Sequence, residues 1–306
     1  MSLLIPNWTL SARCFGIGIS SFVLRRTSDV FYTLGLLPGI YFDTVLSSLL
    51  VQFVALVAIK VCILPSRFDV AWRAFFLGSC LNLGLTLAVY TLEYQNIGMY
   101  CVALSIFHWS EYMMQSTFNP LTTTVESYML YHSNAYVVAF LAALVEYAVE
   151  YYIWPSSKLP NLISNIGISM VIFGECLRKS AMWTAKSNFN HYVQFEKDEE
   201  HELVTHGVYA LFRHPSYVGW FWWSIGTQLI LFNPVCVVLY AIASWKFFND
   251  RIYSEEMTLL KFFGTKYAEY QGRVGIGIPF ISGFIVPIIN SETTAADETS
   301  GSKKDE

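Results

Sequence analysis

Long apolar runs separated by short polar turns set the rhythm of the chain. They cover residues 41–59, 74–92, 97–113, 135–153 and 162–182, with a weaker run over 15–34. About 20 apolar residues in helical form cross the hydrocarbon core of a bilayer, so each run predicts a membrane-spanning helix. The first is weak because Arg25 and Arg26 fall inside it. A cation at a helix centre costs about 2.5–3.5 kcal/mol on insertion scales, which predicts a short, tilted or partly interfacial helix. The last apolar region, 216–247, is interrupted by Asn233-Pro234. As one helix it would be about 45 Å long, more than the core is thick. Asn-Pro is a turn signal, so two short antiparallel helices are predicted, 216–232 and 235–247, returning Arg213 and Lys246 to one side.

Two polar patches flank that hairpin. The first, residues 194–219, reads QFEKDEEHELVTHGVYALFRHPSYVG, and four of the six histidines lie within or just before it: His191, His201, His206 and His214. The second, NDRIYSEEM, holds Arg251, Glu255 and Glu256. The hairpin would bring both patches to one membrane face, as a candidate active site. From Ser291 onward the chain is small and polar, a composition that predicts disorder.

Composition removes the soluble alternatives. Hydrophobic residues make up 54% and charged residues 14%, and mean hydropathy is +0.43. The fold class expected is all-α: a polytopic membrane protein of about eight transmembrane helices with a cytosol-facing C-terminal catalytic region. Residues 1–187 would form a scaffold of six spans, 188–290 the catalytic region, and 291–306 a disordered tail. The net charge of −4 decides little, and no basic patch large enough for nucleic acid is present. Placement of basic residues matters more. Arg67 and Arg73, then Arg178, Lys179, Lys186, Lys197 and Arg213, then Lys246, Arg251, Lys261, Lys266 and Arg273 fall in three regions. Eight spans put all three, and both termini, in the cytosol under the positive-inside rule. The stretch 115–133 would also be cytosolic yet has no Lys or Arg, which runs against the pattern. Asn7-Trp8-Thr9 is then an unmodified glycosylation triplet. The N-terminus lacks the form of a signal peptide, and the C-terminus has no lipidation box. Cys14, Cys62, Cys80, Cys101, Cys176 and Cys236 lie in or beside apolar runs without a C-x-x-C pair, and are expected to be reduced packing residues.

Some motifs point nowhere. Gly16-Ile17-Gly18 and Gly275-Ile276-Gly277 lack the third glycine and preceding strand of a dinucleotide loop. His201 and His206 are five residues apart, so they do not share a helix face and do not suit one zinc ion; no metal is expected. Glu146 and Glu150 share a helix face, and Glu175 can reach Arg178 or Lys179; such charges either face protein and water or reach the interface. Arg213-His214-Pro215-Ser216-Tyr217 suits a helix start, with proline in the first turn. The same helix start could offer its N–H groups to an anion, with His214 and Tyr217 beside a polar ligand. Ser254-Glu255-Glu256 could cap a further helix carrying Leu259, Leu260, Phe262 and Phe263.

Taken together, Q-x-E at Gln194, L-V-T-x-G-V-Y, R-H-P-S-Y-V-G-W, the Asn-Pro hairpin and R-x-x-x-E-E closely resemble the isoprenylcysteine carboxyl methyltransferase family, densely over residues 188–281. The resemblance implies methyl transfer from S-adenosylmethionine to the C-terminal carboxylate of a prenylated cysteine, on CaaX-processed proteins such as small GTPases, at the endoplasmic reticulum membrane. It implies that Gln194, His201, Glu202, Leu203, Val204, Tyr209, His214, Pro215, Ser216, Tyr217 and Glu255 line the methyl-donor site. Arg251 is the expected contact to the substrate carboxylate. Lys303-Lys304-Asp305-Glu306 at the end resembles a dilysine retrieval signal. Membrane sterol reductases carry a related R-H-P-x-Y-x-G module, so an NADPH-dependent reductase is the alternative. The acidic residues Asp198, Glu199 and Glu200 do not suit a ribose phosphate.

Overall fold

The computed structural model describes residues 6–33, 44–63, 65–131, 133–197 and 201–284, with the side chains of 21–33 and 44–51 outside that description. The tail from Ser291, its Lys-Lys-Asp-Glu end, the acidic run 198–200 and the side chains of Arg25 and Arg26 therefore lie outside the described residues. Among the described residues there are nine α-helices and no strand: α1 (Asn7–Thr33), α2 (Thr44–Cys62), α3 (Pro65–Tyr90), α4 (Gln95–Phe118), α5 (Asn134–Ile153), α6 (Leu162–Ala185), α7 (Pro215–Leu231), α8 (Pro234–Phe263) and α9 (Thr265–Arg273). By length and composition, α3, α5 and the stretch Pro155–Asn188 that contains α6 can each cross a membrane. A shorter apolar stretch covers Gln52–Cys62.

Helices α4 to α8 run alternately up and down, and their ends define two faces. At the first, Asn96 Nδ2 at the start of α4 donates to the Lys158 carbonyl at 3.0 Å. Lys158 is fully buried. Its Nζ meets Glu150 Oε2 at 2.5 Å, the Leu231 and Phe232 carbonyls at 3.1 and 2.8 Å, and Asn233 Oδ1 at 3.1 Å. The ammonium thus covers the open carbonyls that end α7, where a cation is favoured. One turn away, Glu146 accepts the N–H groups of Val235 and Cys236 at 2.7 Å each, a carboxylate at the start of α8. Glu146 and Glu150 face protein and hold the turn at Asn233, so neither merely reaches the interface. Three charged side chains from outside the hairpin fix its fold.

The second face gathers the end of α4, the end of α6, the start of α7 and the later turns of α8. Asn119 Nδ2 reaches the Phe189 carbonyl at 3.2 Å, and Phe248 stacks on Tyr217 with centroids 5.1 Å apart. Lys246, two residues before Phe248, is thereby at the same end as Arg213, as the Asn-Pro turn predicts. Helix α8 departs from expectation in length. It does not end near 247 but runs on to Phe263, about 45 Å at 1.5 Å per residue. No glycine or proline intervenes between Pro234 and Gly264, and Ser254 Oγ donates to the carbonyl of Asp250 at 3.0 Å. Ser254, Glu255 and Glu256 are therefore interior residues of α8 rather than the cap of a new helix.

Glycine sets how closely α6 and α7 approach. A Cβ on Gly174 would lie 2.4 Å from the Gly219 carbonyl oxygen, a distance no side chain tolerates. Small residues that let backbones touch are a usual device between membrane helices. Here they hold the first turn of α7 against α6. After α9 the chain lies back over this unit. Arg213 N donates to the Gly275 carbonyl at 2.9 Å, Trp245 Nε1 donates to the Pro279 carbonyl at 2.8 Å, and Ile276, Ile278 and Ile281 are buried with Val218, Phe248 and Ile252. All six cysteines are free, and Cys62 and Cys176 are exposed rather than packed.

Candidate active site

A cleft opens at the second face, with about 680 Å³ of empty space when its open mouth is included. Five pieces of chain wall it: the stretch 185–190 after α6, the segment 201–209, the first turn of α7 with Arg213 before it, α8 from Glu255 to Phe263, and α9 at Tyr267 and Tyr270. The last two are far in sequence from the others and meet them only because the hairpin folds back.

The polar groups of the cleft are linked. Tyr217 donates its hydroxyl to Glu255 Oε2 at 2.5 Å and accepts Arg251 Nε at 2.8 Å. Arg251 Nη2 donates to the His191 carbonyl at 2.5 Å, and the guanidinium carbon lies 5.4 Å from the Tyr217 ring centre. The His214 and Tyr217 rings are 5.5 Å apart and nearly parallel, 2° between planes. Below them, Glu256 is fully buried. It accepts Arg213 Nε at 2.8 Å, the Tyr267 hydroxyl at 3.2 Å and the Phe284 N–H at 2.9 Å, with His214 Nε2 at 3.3 Å. Burial alone would raise the Glu256 carboxyl, but the hydrogen bond and charge of His214 and the Arg213 guanidinium outweigh it and hold it below the usual carboxylate range. Burial keeps the phenols around the cleft neutral: Tyr270 is pushed up to about 12, and Tyr209 and Tyr267 are raised as well.

Ten of the residues singled out in the sequence come together here: His201, Glu202, Leu203, Val204, Tyr209, His214, Pro215, Ser216, Tyr217 and Glu255 all line the cleft. Arg251 stands one hydrogen bond beyond the lining. Gln194 is not brought in. It is exposed, and its Nε2 turns back to the Tyr192 carbonyl at 3.1 Å, so the structure places it outside the cleft. Several amides beside the cleft are already engaged: Glu202 N–H binds Asn188 Oδ1 at 2.8 Å, and those of Tyr217 and Val218 at the start of α7 go to the His214 carbonyl. Lining residues that sequence reasoning missed include Asn188, Phe189, Asn190, Phe263, Tyr267 and Tyr270. The aromatic pair at 267 and 270 shares one face of α9, but nothing local shows that the Tyr270 hydroxyl reaches the Tyr209 carbonyl at 2.5 Å. Among the described residues no group of three or more His, Cys, Asp or Glu is gathered as for a metal ion.

The donor set suits a small cationic, hydroxylated ligand with an aromatic base. Glu202 and Glu255 supply carboxylate acceptors, and Leu203, Val204, Leu259 and Phe263 supply apolar walls.

Comparison with known proteins agrees. The family model described as the isoprenylcysteine carboxyl methyltransferase family matches residues 167–261. The protein-S-isoprenylcysteine O-methyltransferase of Homo sapiens is 50% identical over 224 residues, 73% of this chain and 79% of that protein. Its counterpart in Saccharomyces cerevisiae is 40% identical over 220 residues, 70% of this chain and 91% of that protein. A solved structure of a eukaryotic intramembrane Ras methyltransferase, an isoprenylcysteine carboxyl methyltransferase, superposes with a TM-score of 0.83 at 42% identity, covering 92% of this chain and 100% of that one. These findings give no support to a reductase.

Proposed function

The chain belongs to the isoprenylcysteine carboxyl methyltransferase family, and on that premise we propose that it moves a methyl group from S-adenosylmethionine to the C-terminal carboxylate of a prenylated cysteine, leaving a methyl ester. The protein is an integral membrane methyltransferase. Its acceptors are the prenylcysteine ends of CaaX-processed proteins, small GTPases among them. The single observation that carries the reading is the Glu255–Tyr217–Arg251 chain of hydrogen bonds, which couples the cleft wall to one well-placed guanidinium.

The chemistry asks little of the residues beyond placement. A C-terminal carboxyl has a pKa of about 3.3–3.7, so the acceptor is already an anion and needs no general base. S-adenosylmethionine supplies an activated methyl group when bound. The protein must align acceptor oxygen with that methyl and exclude water, and positioning of this kind can lower a barrier by about 7–11 kcal/mol. Arg251 has its Nε on Tyr217 and one Nη2 proton on His191. The end of the guanidinium formed by Nη1 and Nη2 is therefore the edge a carboxylate takes, as a planar fork. Glu255 would accept from a hydroxyl or ammonium of the bound donor, and the backbone at Leu203 and Val204 would meet its polar edges. His201, Glu202, Tyr209, His214, Pro215, Ser216 and Tyr217 complete the donor site. A groove open sideways to lipid would spare the prenyl chain the cost of leaving the bilayer, about 0.8 kcal/mol per CH₂.

The wider arrangement follows the same reading. Residues 1–187 form the scaffold and 188–290 the catalytic region. Eight helices span the endoplasmic reticulum membrane, with the cleft and both termini in the cytosol. The test is transfer of a radiolabelled methyl group to N-acetyl-S-farnesylcysteine by the purified full-length protein. Label in a base-labile ester supports the assignment; no label with donor and acceptor both saturating overturns it.

A further inference from the structure

Glu111 lies on α4, in the scaffold, yet its carboxylate is the meeting point of donors that lead to two parts of the site. It is completely buried. Arg178 grips it as a fork, Nε to Oε1 at 2.6 Å and Nη2 to Oε2 at 2.8 Å. Lys179 Nζ also donates to it, and His191 Nε2 stands 2.8 Å from Oε2. Each path continues. Arg178 Nη1 donates to Ser216 Oγ at 2.7 Å in the first turn of α7. The carbonyl of His191 accepts Arg251 Nη2 at 2.5 Å.

The backbone on either side of His191 is tied at single points, Asn119 Nδ2 to the Phe189 carbonyl at 3.2 Å and Tyr192 N–H to Asn190 Oδ1 at 3.0 Å, and the imidazole itself has fewer anchors. Beyond a single 3₁₀ turn, Lys186–Asn188, residues 189–197 have no helix of their own. His191 is held by its edge contact with the Phe189 ring, centroids 5.4 Å apart, and by the carboxylate of Glu111. A guanidinium points where its N–H groups are tied. Tyr217 ties Nε of Arg251 and the His191 carbonyl ties Nη2, so a shift of His191 swings the edge that meets the substrate.

We propose that Glu111 and His191 are positioning residues for the acceptor: Glu111 pins the imidazole, and the pinned residue presents the carbonyl that aims Arg251. The inference rests on the reading of Arg251 as the carboxylate contact. It assigns part of acceptor recognition to a buried charge on a scaffold helix, outside residues 188–290. A cluster that only stabilised the bundle would lower thermal stability and the active fraction. It would not change the KM of one substrate and spare the other.

The test uses the full-length protein and N-acetyl-S-farnesylcysteine, with initial rates at varied acceptor and varied donor. His191→Phe puts an aromatic ring of similar shape beside Phe189 and removes the hydrogen bond to Glu111. It should raise the acceptor KM about tenfold, the scale of one lost hydrogen bond to a charged group, while the donor KM stays within about twofold. Glu111→Gln should do the same where it folds; where it does not, His191→Phe decides alone. In an Arg251→Lys background, His191→Phe should have little further effect, because residues acting through one group are not additive. Equal changes in both KM values, an unchanged acceptor KM, or additive effects overturn the inference. The Arg251→Lys single variant separates the two levels. If it raises the acceptor KM while His191→Phe does not, the reading of Arg251 stands and the positioning role falls. If it leaves the acceptor KM unchanged, both fall.

Discussion

Tyr217 serves two ionised neighbours at once, giving its proton to Glu255 and its lone pair to Arg251. Removing either partner leaves the other charge half-buried and unmatched, which at interfaces costs about 2–5 kcal/mol. Arg251→Ala and Glu255→Ala should each lower kcat/KM by at least about 30-fold, measured by methyl transfer. Far-ultraviolet circular dichroism should stay unchanged. Tyr217→Phe removes the bridge and keeps the ring between His214 and Phe248, so a smaller loss, about tenfold, is expected. Glu256 gives a prediction in pH. Its folded pKa lies below the ordinary 4.5, so the unfolded chain binds the proton more readily. The stability contributed by the ionised carboxylate is present above about 4.5 and is lost as pH falls through the depressed value. Unfolding followed by tryptophan fluorescence should show this loss in the wild type and a flatter dependence in Glu256→Gln.

At the scale of elements, the α7–α8 turn and the α6–α7 contact decide whether the site exists. Lys158 has no exposed surface and meets a carboxylate and three oxygens around the turn. Breaking a buried pair from one side costs about 3–5 kcal/mol. Lys158→Met should therefore lower the thermal unfolding midpoint markedly, although it lies at the face opposite the cleft. Activity per folded molecule should fall less than the midpoint suggests. Gly174→Val acts the other way. Its side chain would be driven against the Gly219 carbonyl, and overpacking of this sort costs about 1–3 kcal/mol. Because Gly219 follows Tyr217 by half a turn, this change should reduce methyl transfer at temperatures where the protein is still folded.

For the molecule as a whole, the two faces give a topological prediction. Leu121 is exposed beyond α4 and Lys261 is exposed near the end of α8, whereas Ser156 is exposed between α5 and α6. In sealed microsomes a membrane-impermeant thiol reagent should label Leu121→Cys and Lys261→Cys together, in a background where Cys62 and Cys176 are replaced by serine. Ser156→Cys should react only after the vesicles are opened. The opposite pattern would place the cleft in the lumen. Labelling of Leu121→Cys and Lys261→Cys on different sides would contradict the fold itself. Leu121 lies in the stretch without Lys or Arg, where charge placement gives no signal, so only the packing of α4 against α6 and α7 assigns its side.

The sequence by itself determined the all-helical class, the turn at Asn233-Pro234 and most of the cleft lining. The class and the turn follow from local causes, apolar run length and a residue pair that cannot continue a helix, whereas the lining was named by the resemblance of the motifs to a family. Only the tertiary structure decided the rest. That Tyr270 closes the cleft against Tyr209 and that Glu146 and Lys158 hold the turn depend on partners more than ten residues distant, and that α8 runs unbroken to Phe263 and Gln194 turns back on Tyr192 emerged only with the fold. The same holds for Glu111 and His191, 80 residues apart. A buried charge in a membrane helix signals in sequence that it needs a partner, but the bond that satisfies it is a property of the packed bundle.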